Sequence, residues 1–587
     1  MAKNEEIAKI LFELAEMYEM QNIPFKPRVF ERASESVASL EDDVADLYKE
    51  GGLKALEGIP SVGRGIAERI EEYLKTGEMK EYNQIKKKFP VDIAELSSID
   101  GVGPKLINLL YTKLKIRTVA DLEKAAKGGK LRSLPRMGAK LEAKILKGIE
   151  FKREGGGRFA LGEALPMSRA IKDRLLKITD AEEVEVAGSV RRMQETIGDL
   201  DFLVVSGNPK KISDYFVKMP EVAHIYARGE TKVNVRLKSG IDADLRIVPK
   251  KSFGAALQYF TGNKDHNVEV RKIAIKKGYK LNEYGLFRGK KNIAAESEEE
   301  IYKKLGMSLP PPEMRLNLGE IEAALRQAQG KPGGLPNSIG YDDLRGDLQT
   351  QTSWTDGKNS IEEMAREAEK IGHEYIAITD HTRSLAMTGG SDEKKLARQA
   401  KEIDRVNEKF SARGGSASGG KNIKILKGAE VNIMKDGSLD IDDEALAKLD
   451  VVGAAVHSLF NLTKKEQTER IIRAMENPNV DILFHPTGRV INRRKPYDVD
   501  MEKIIKAAKR TGTILEIDGH PWRLDLKDEH IRMAREAGVK MVIDTDAHST
   551  SELHYLEYGI AQARRAWCTK KDIINTLPLK EFLGMLK

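Results

Sequence analysis

The apolar residues of this chain change their spacing twice, and that pattern rules out a single fold. Up to about residue 150 they recur at helical intervals, as Ile7, Ile10, Leu11, Leu14 and Tyr18 do. From Glu183 they fall into strand-like runs: Val184 and Val186, then 202–205, then Val233, Val235 and Leu237, a turn at Ser239-Gly240, and a partner strand over 241–248. After Tyr341, short apolar strands at 375–378, 423–426, 451–456, 480–484, 513–517 and 540–543 alternate with helical stretches. A length of 587 residues also exceeds the roughly 250–300 that one core sustains. The sequence therefore predicts a multidomain chain with an α-helical N-terminal region, an α+β unit and a C-terminal α/β barrel of βα repeats. Pro310-Pro311-Pro312, Gly330, Pro332, Gly333, Gly334 and Pro336 read as a linker, interrupted by one helical piece around 320–329. Residues 411–420 read as a flexible loop.

Composition narrows the chemistry. No apolar run approaches the roughly 20 residues needed to cross a bilayer, and the charged N-terminus lacks a signal-peptide core. A cytoplasmic, nucleoid-associated location is expected, with no membrane partner. The single cysteine, Cys568, excludes an internal disulfide and a thiolate-based zinc site. Any metal must be held by carboxylates and histidines. The net charge of +8 fits a phosphate-backbone binder without deciding for one.

The densest chemical signal is Gly188-Ser189-Val190-Arg191-Arg192 followed by Gly198-Asp199-Leu200-Asp201 at the start of an apolar strand. Carboxylates two apart on a strand point to the same side and repel unless a cation sits between them. Asp244, in Asp244-Leu245-Arg246, supplies a third acid on a neighbouring strand. Such a set suits two Mg²⁺ ions, one acting on a primer 3′-hydroxyl and one on the triphosphate. Gly188 and Ser189 offer backbone N–H groups to phosphate, and Arg192 offers a guanidinium fork. A bare Asp-x-Asp is more often surface acid; the ordered run of glycines, arginines and acids favours nucleotidyl transfer.

Residues 188–201 resemble the nucleotidyltransferase signature of the DNA polymerase X family, to which polymerase beta belongs. Tyr259-Phe260-Thr261-Gly262-Asn263 and the following residues to Arg271 resemble the family's next segment, with Asn263 where Ser is usual. The resemblance implies an α+β nucleotidyltransferase palm and thumb. It puts Asp199, Asp201 and Asp244 in the catalytic and metal-binding roles. It assigns Gly188, Ser189, Arg192, Gly198 and Gly262 to the nucleotide, Tyr259 and Phe260 to its sugar, and Asn267 and Arg271 to the nascent pair. The implied substrates are gapped or primer–template DNA and a deoxynucleoside triphosphate. Two Mg²⁺ ions serve the site, Mn²⁺ substituting, and the protein is expected to be a monomer in DNA repair.

Upstream, three turns share a pattern: Ile59-Pro60-Ser61-Val62-Gly63-Arg64-Gly65, Ile99-Asp100-Gly101-Val102-Gly103-Pro104-Lys105 and Leu134-Pro135-Arg136-Met137-Gly138-Ala139-Lys140. They resemble helix-hairpin-helix elements, whose backbone N–H groups meet DNA phosphates without reading bases. Gly63, Gly101, Gly103, Lys105, Gly138 and Lys140 are the implied contacts. Where lyase-active relatives carry a Schiff-base lysine, this chain has Arg69, which stays protonated and cannot serve as that nucleophile. Weak or absent lyase activity is expected, with Arg69 gripping a 5′-phosphate.

Acids and histidines follow the strands of the last third: Asp356, His381, Glu430, His457, His485, Asp546 and His548. Together they suit Mn²⁺ or Zn²⁺ and hydrolysis at phosphorus. Their order resembles the PHP domain, whose barrel is a distorted (β/α) one. That family opens with His-x-His; here Asp347-Leu348 is followed by Gln349-Thr350-Gln351, so both imidazoles are amides and at least one metal position is expected to be weak or empty. Arg489 and Arg523 match too, as phosphate contacts or structural pairs. In intact relatives the barrel gives 3′–5′ exonuclease and abasic-site cleavage. Two alternatives stay open: a non-catalytic barrel scaffold, or a chain that is mainly a nuclease or DNA-binding protein. The expected divisions are 1–80 (5′-end binding), 81–150 (fingers), 151–235 (palm), 236–312 (thumb), 313–340 (linker) and 341–587 (barrel).

Overall fold

Strand β4, Asp199–Val205, alternates and then becomes wholly buried, and around it the central sheet of the first unit forms. In the computed structural model the described residues are all of 1–587 except 1, 22, 24, 39, 41–42, 60, 98, 100–101, 135–136, 139–140, 144, 147, 150–157, 386–387 and 413–422. They group into two units, the first comprising 1–159, 163–191 and 196–305, the second 160–162, 192–195 and 306–587. Most of the expected 411–420 loop lies outside the described residues.

The first unit begins with helices. Ile7, Leu11, Leu14 and Tyr18, on one face of the helix Ala2–Met20, are fully buried against Phe30, Val37, Ile66 and Ile70. A second core gathers Val102, Ile107, Leu110, Leu122 and Ile145. A short pair, β1 (Phe159–Ala160) with β3 (Thr196–Ile197), forms a separate two-stranded sheet. The sheet orders β2 (Glu183–Val186), β4, β7 (Asp242–Val248), β6 (Lys232–Leu237) and β5 (Val222–Arg228). In β6 and β7 every second residue is buried, so one face joins the core and the other carries polar groups. Strand β5 was not expected from the sequence. It is an edge strand whose register shifts twice, which blurs its alternation. A further antiparallel sheet, β8 (Lys280–Asn282), β9 (Gly285–Arg288) and β10 (Lys291–Ala294), was also not expected, its strands being too short to show a period.

The second unit is a parallel sheet of seven strands in sequence order: β11 (Gly346–Thr350), β12 (Tyr375–Ile378), β13 (Lys424–Asn432), β14 (Val451–Ala455), β15 (Ile482–Leu483), β16 (Ile514–Asp518) and β17 (Met541–Asp544). A parallel bridge between Thr350 and Ala547 nearly closes it into the expected barrel. Its strands are buried on both faces. Strand β11 was missed because Asp347, Gln349 and Gln351 make it read as polar; all three side chains are buried. The first part of the Pro/Gly stretch packs into this unit, whereas Gly330, Pro332 and Gly333 are exposed. Glu313 binds Arg564 Nε at 2.8 Å and the Tyr341 hydroxyl at 2.7 Å. The helix Glu320–Ala328 buries Ile321, Ala323 and Ala324.

Candidate active sites

Parallel pairing of β4 with β7 sets Asp201 opposite Asp244 and Asp199 opposite Asp242. Asp199 and Asp201 share a face by the two-residue period, and the register brings the third carboxylate beside them. Asn234, opposite Asp244 on β6, donates its amide to the Asp244 carboxylate. Sequence reasoning missed Asn234, although its place between inward-facing Val233 and Val235 put it on the acid face.

Gly188 closes the site from the other side. Its φ is +57°, and a Cβ there would lie 1.9 Å from Asp201 Oδ2. The strand end is pinned by Ala187 N donating to Asp201 O at 2.8 Å. Gly188 opens the short helix Gly188–Arg191, in which the buried Ser189 Oγ has no hydrogen-bond partner among the described residues. Arg191 bonds Thr261 Oγ1 at 2.6 Å and Glu298 Oε2 at 2.7 Å, a structural tie that the sequence did not announce. Arg192 follows that helix directly. Gly198 lies against Arg158, which bonds Thr196.

Burial pushes the Asp244 carboxyl up to about 6; Asp199 adds to the rise, and Asn234, Arg246 and Lys232 oppose it. The folded carboxyl thus holds its proton more tightly than the unfolded one, so stability falls as pH rises from about 4 to about 6. With chelator present, Asp244→Asn is expected to raise thermal stability at neutral pH, by at most about 3 kcal/mol, and to lose that gain near pH 4. Calorimetry at both pH values checks it; a variant less stable than wild type at neutral pH counts against it.

The expected sugar and base-pair residues fall together. The Tyr259 and Phe260 rings meet edge-on at 5.1 Å. Arg271 lies over Tyr259, and Arg246 over Phe260. Asn267 accepts from Gln258 Nε2 at 2.8 Å and donates to Tyr259 O at 2.7 Å. Gly262 has φ +67°, and Asn263 caps the helix Lys264–Lys276 by accepting from His266 N. A short polar side chain is what that cap requires, which accounts for Asn in place of Ser.

The three glycine turns share one hydrogen bond between described residues. In each, an apolar carbonyl accepts from the apolar residue three further on: Ile59 from Val62, Ile99 from Val102 and Leu134 from Met137, at 2.9–3.1 Å. Gly63, Gly103 and Gly138 then start the next helical turn, and a Cβ on any of them would meet nothing within 4 Å. Lys105 follows Pro104 at the start of the helix Pro104–Leu114. Gly101 and Lys140 lie outside the described residues. Arg69 donates to Glu81 Oε2 at 2.6 Å and to Gly65 O, which leaves two of its five N–H groups for a phosphate. Borohydride trapping on an abasic duplex is expected to leave the helix Arg64–Thr76 unlinked; an adduct on that helix would overturn the lyase reading.

In the barrel, the expected residues converge at the C-terminal strand ends. Two sets have ligand atoms within 4.8 Å of one another: Asp356, His381 and His548, and His381, Glu430 and His457. His485 Nε2 adds a 2.8 Å contact to Glu430 Oε1. Burial alone would raise the Glu430 carboxyl, but the imidazoles around it hold it well below the usual range. Asn432 fixes His457 through Nδ1 at 2.8 Å.

The two glutamines behave differently from imidazoles. Gln351 Nε2 donates to Glu430 Oε2 at 2.9 Å. Both amide atoms of Gln349 are buried with no hydrogen-bond partner among the described residues. Arg523 Nε lies 3.0 Å from Asp546 Oδ2 and 3.5 Å from Asp518 Oδ2. Arg489 donates to the carbonyls of Arg523 and Leu524, and to Glu195 Oε2 at 2.7 Å. Both arginines make structural pairs, one of the two roles that the sequence offered them.

Comparison with known proteins gives matches along most of the chain. Residues 2–79 match a helix-hairpin-helix domain, 93–150 a SAM-like helix-hairpin-helix tandem, 256–316 the DNA polymerase beta thumb and 347–537 the PHP domain. The chain is 35% identical over 588 residues to the DNA polymerase/3'-5' exonuclease PolX of Bacillus subtilis (strain 168), spanning 99% of both. It is 31% identical over 237 residues to a probable phosphatase of Thermoanaerobacter sp. (strain X514), covering 38% of this chain and 88% of that one. It is also 31% identical over 203 residues to a probable phosphatase of Acetivibrio thermocellus, covering 33% and 75%.

Proposed function

The chain belongs to the family X DNA polymerases that carry a C-terminal PHP domain, and from that premise we propose that Asp199, Asp201 and Asp244 are the catalytic carboxylates of a polymerase filling short gaps in DNA. The observation that carries this is the cross-strand register of Asp201 with Asp244, backed by a glycine at 188 that leaves room only for the Asp201 carboxylate. A set of carboxylate oxygens suits a hard cation, so Mg²⁺ is the ion proposed, with Mn²⁺ as substitute. When bound, the cations lower the pKa of the primer 3′-hydroxyl and neutralise the triphosphate.

In the reaction the primer 3′-oxygen bonds the α-phosphorus of the incoming triphosphate. The bond to pyrophosphate breaks, and the hydroxyl proton leaves. Ser189 Oγ, the N–H groups after Gly188, and Arg192 bind the β- and γ-phosphates. Tyr259 and Phe260 back the sugar. Asn267 keeps one donor and one acceptor site beyond its bonds to Gln258 and Tyr259, and offers them with Arg271 to the minor-groove edge of the new pair. Gly63, Gly103, Lys105 and Gly138 grip phosphates without reading sequence. Residues 1–80 and 81–150 are assigned to that grip, 151–235 to the palm, 236–312 to the thumb, 313–340 to the connection and 341–587 to the barrel. Primer extension by wild type and by Asp199→Ala tests the assignment.

The barrel reading is a 3′–5′ nuclease with a reduced metal set. Asp356, His381 and His548, and Glu430, His457 and His485, are donor sets that suit Mn²⁺ or Zn²⁺. The corner of Gln349, Gln351 and Asp546 does not suit one, since Gln351 turns an N–H to Glu430 and Arg523 already neutralises Asp546. That same corner favours a second reading, a barrel kept as a scaffold. Trimming of a 3′ end in Mn²⁺ is expected to fall at least tenfold in His381→Ala. Equal trimming by wild type and variant leaves the scaffold.

A further inference from the structure

Beside the barrel's histidines stand two arginines that the reaction has not used. Arg493 lies 4.3 Å over the Trp522 ring, and Arg494 lies 4.3 Å over the Phe460 ring. Both arginines and Lys495 are exposed, while both rings are half-buried. Unlike Arg489 and Arg523, neither Arg493 nor Arg494 pairs with a carboxylate among the described residues. Three exposed cations in a row, two of them stacked on aromatic rings, are not the usual solvated face.

The hairpin that presents them is held on every side. Val490 N donates to Arg494 O at 2.9 Å, and Arg494 N to Val490 O at 2.8 Å. Arg494 Nε donates to Gly488 O at 2.8 Å, and Gly488 N to His485 O at 2.9 Å. Ile491 N donates to Trp522 O at 2.6 Å, and Asn492 at the apex has φ +59°. The hairpin is thereby tied to His485 at its base and to the Trp522 segment along its side. Trp522 immediately precedes Arg523, which contacts Asp546. Phe460 lies three residues after His457, whose Nε2 is 2.9 Å from Glu430. Both arginines therefore follow His485 on its loop, with Phe460 on the loop after His457 and Trp522 beside Arg523.

We propose that Arg493 and Arg494, stacked on Trp522 and Phe460, form a lip that binds an unpaired DNA 3′ end at the barrel rim. A guanidinium held over a ring by a cation–π contact retains N–H groups for phosphate, and the aromatic ring beside it offers a surface on which a base can stack. A basic groove with flat surfaces favours single strands, because only unpaired bases can stack on them. Duplex backbone would need the charges but not the rings. The proposal deepens the nuclease reading of the barrel and rests on it for the choice of DNA end.

The test uses the full-length protein in EDTA, so that cleavage does not enter the readout. A duplex with a short unpaired 3′ tail ending in 4-thiothymidine is irradiated with the protein, and adducts are mapped by mass spectrometry. Adducts are expected on peptides containing Trp522 or Phe460. R493E/R494E is expected to lower their yield about tenfold at moderate salt, with an unchanged melting temperature; R493Q/R494Q serves if the charge reversal does not fold. Unchanged yield in the variant, adducts confined to residues 1–305, or equal yield from a blunt duplex each overturns the lip. Mn²⁺-dependent trimming, measured separately with His381→Ala, decides the nuclease reading whatever the adducts show.

Discussion

Asp199→Ala is expected to lower primer extension by about 10³-fold or more, since a carboxylate that holds a catalytic cation supplies several kcal/mol and each 1.4 kcal/mol is tenfold. The fold should survive. Asp199 is exposed at the first position of β4, and the strand's buried residues, Leu200 and Phe202 to Val205, are untouched. Its removal also takes away a charge that raises Asp244, so the Asp244 carboxyl should titrate lower in the variant. Single-turnover extension with a correctly paired nucleotide is the measurement, and a variant that extends primers at the wild-type rate would remove the central claim. A DNA-binding role without polymerisation predicts no such loss.

Gly188→Ala is expected to be nearly as damaging although it deletes nothing. The added Cβ would sit 1.9 Å from Asp201 Oδ2, far inside contact distance, so the carboxylate must move. The φ of +57° adds about 1–2 kcal/mol of strain for any residue with a side chain. Moving a catalytic group by about 1 Å costs on the order of 10²-fold in rate. The expected outcome is a loss of about that size in extension, together with a modest drop in melting temperature. An alanine variant with full activity would mean that Asp201 does not need its observed position.

The cluster of three carboxylates was legible because its logic is local. Two acids two apart on a strand share a face whatever the rest of the chain does, and the β4–β7 register added the third. The helix-hairpin-helix turns were legible for the same reason. Each is a short run in which an apolar pair shares the same backbone hydrogen bond and a glycine, Gly63, Gly103 or Gly138, follows it. Strands β5 and β8–β10 were not legible, being short or bulged and lacking a sustained period. Strand β11 hid behind its own polar residues. The Pro/Gly stretch read as a domain linker because the partners that bury Glu313 lie outside it, Tyr341 and Arg564, the latter over two hundred residues away in sequence.

Sequence alone determined which chemistries this protein can attempt. An arginine at 69 cannot act as an amine nucleophile, and glutamines at 349 and 351 are poorer metal ligands than imidazoles, because those limits belong to the side chains themselves. Tertiary structure decided what each altered residue does instead. Arg69 turns to Glu81, Gln351 donates to Glu430, and Arg523 lies against Asp546. Gly188 proved necessary for the space taken by Asp201, a residue thirteen positions away. The division follows from the range of the forces involved. Protonation, side-chain length and strand period act within a few bonds, whereas a buried donor or charge takes whichever partner the fold brings within about 3 Å.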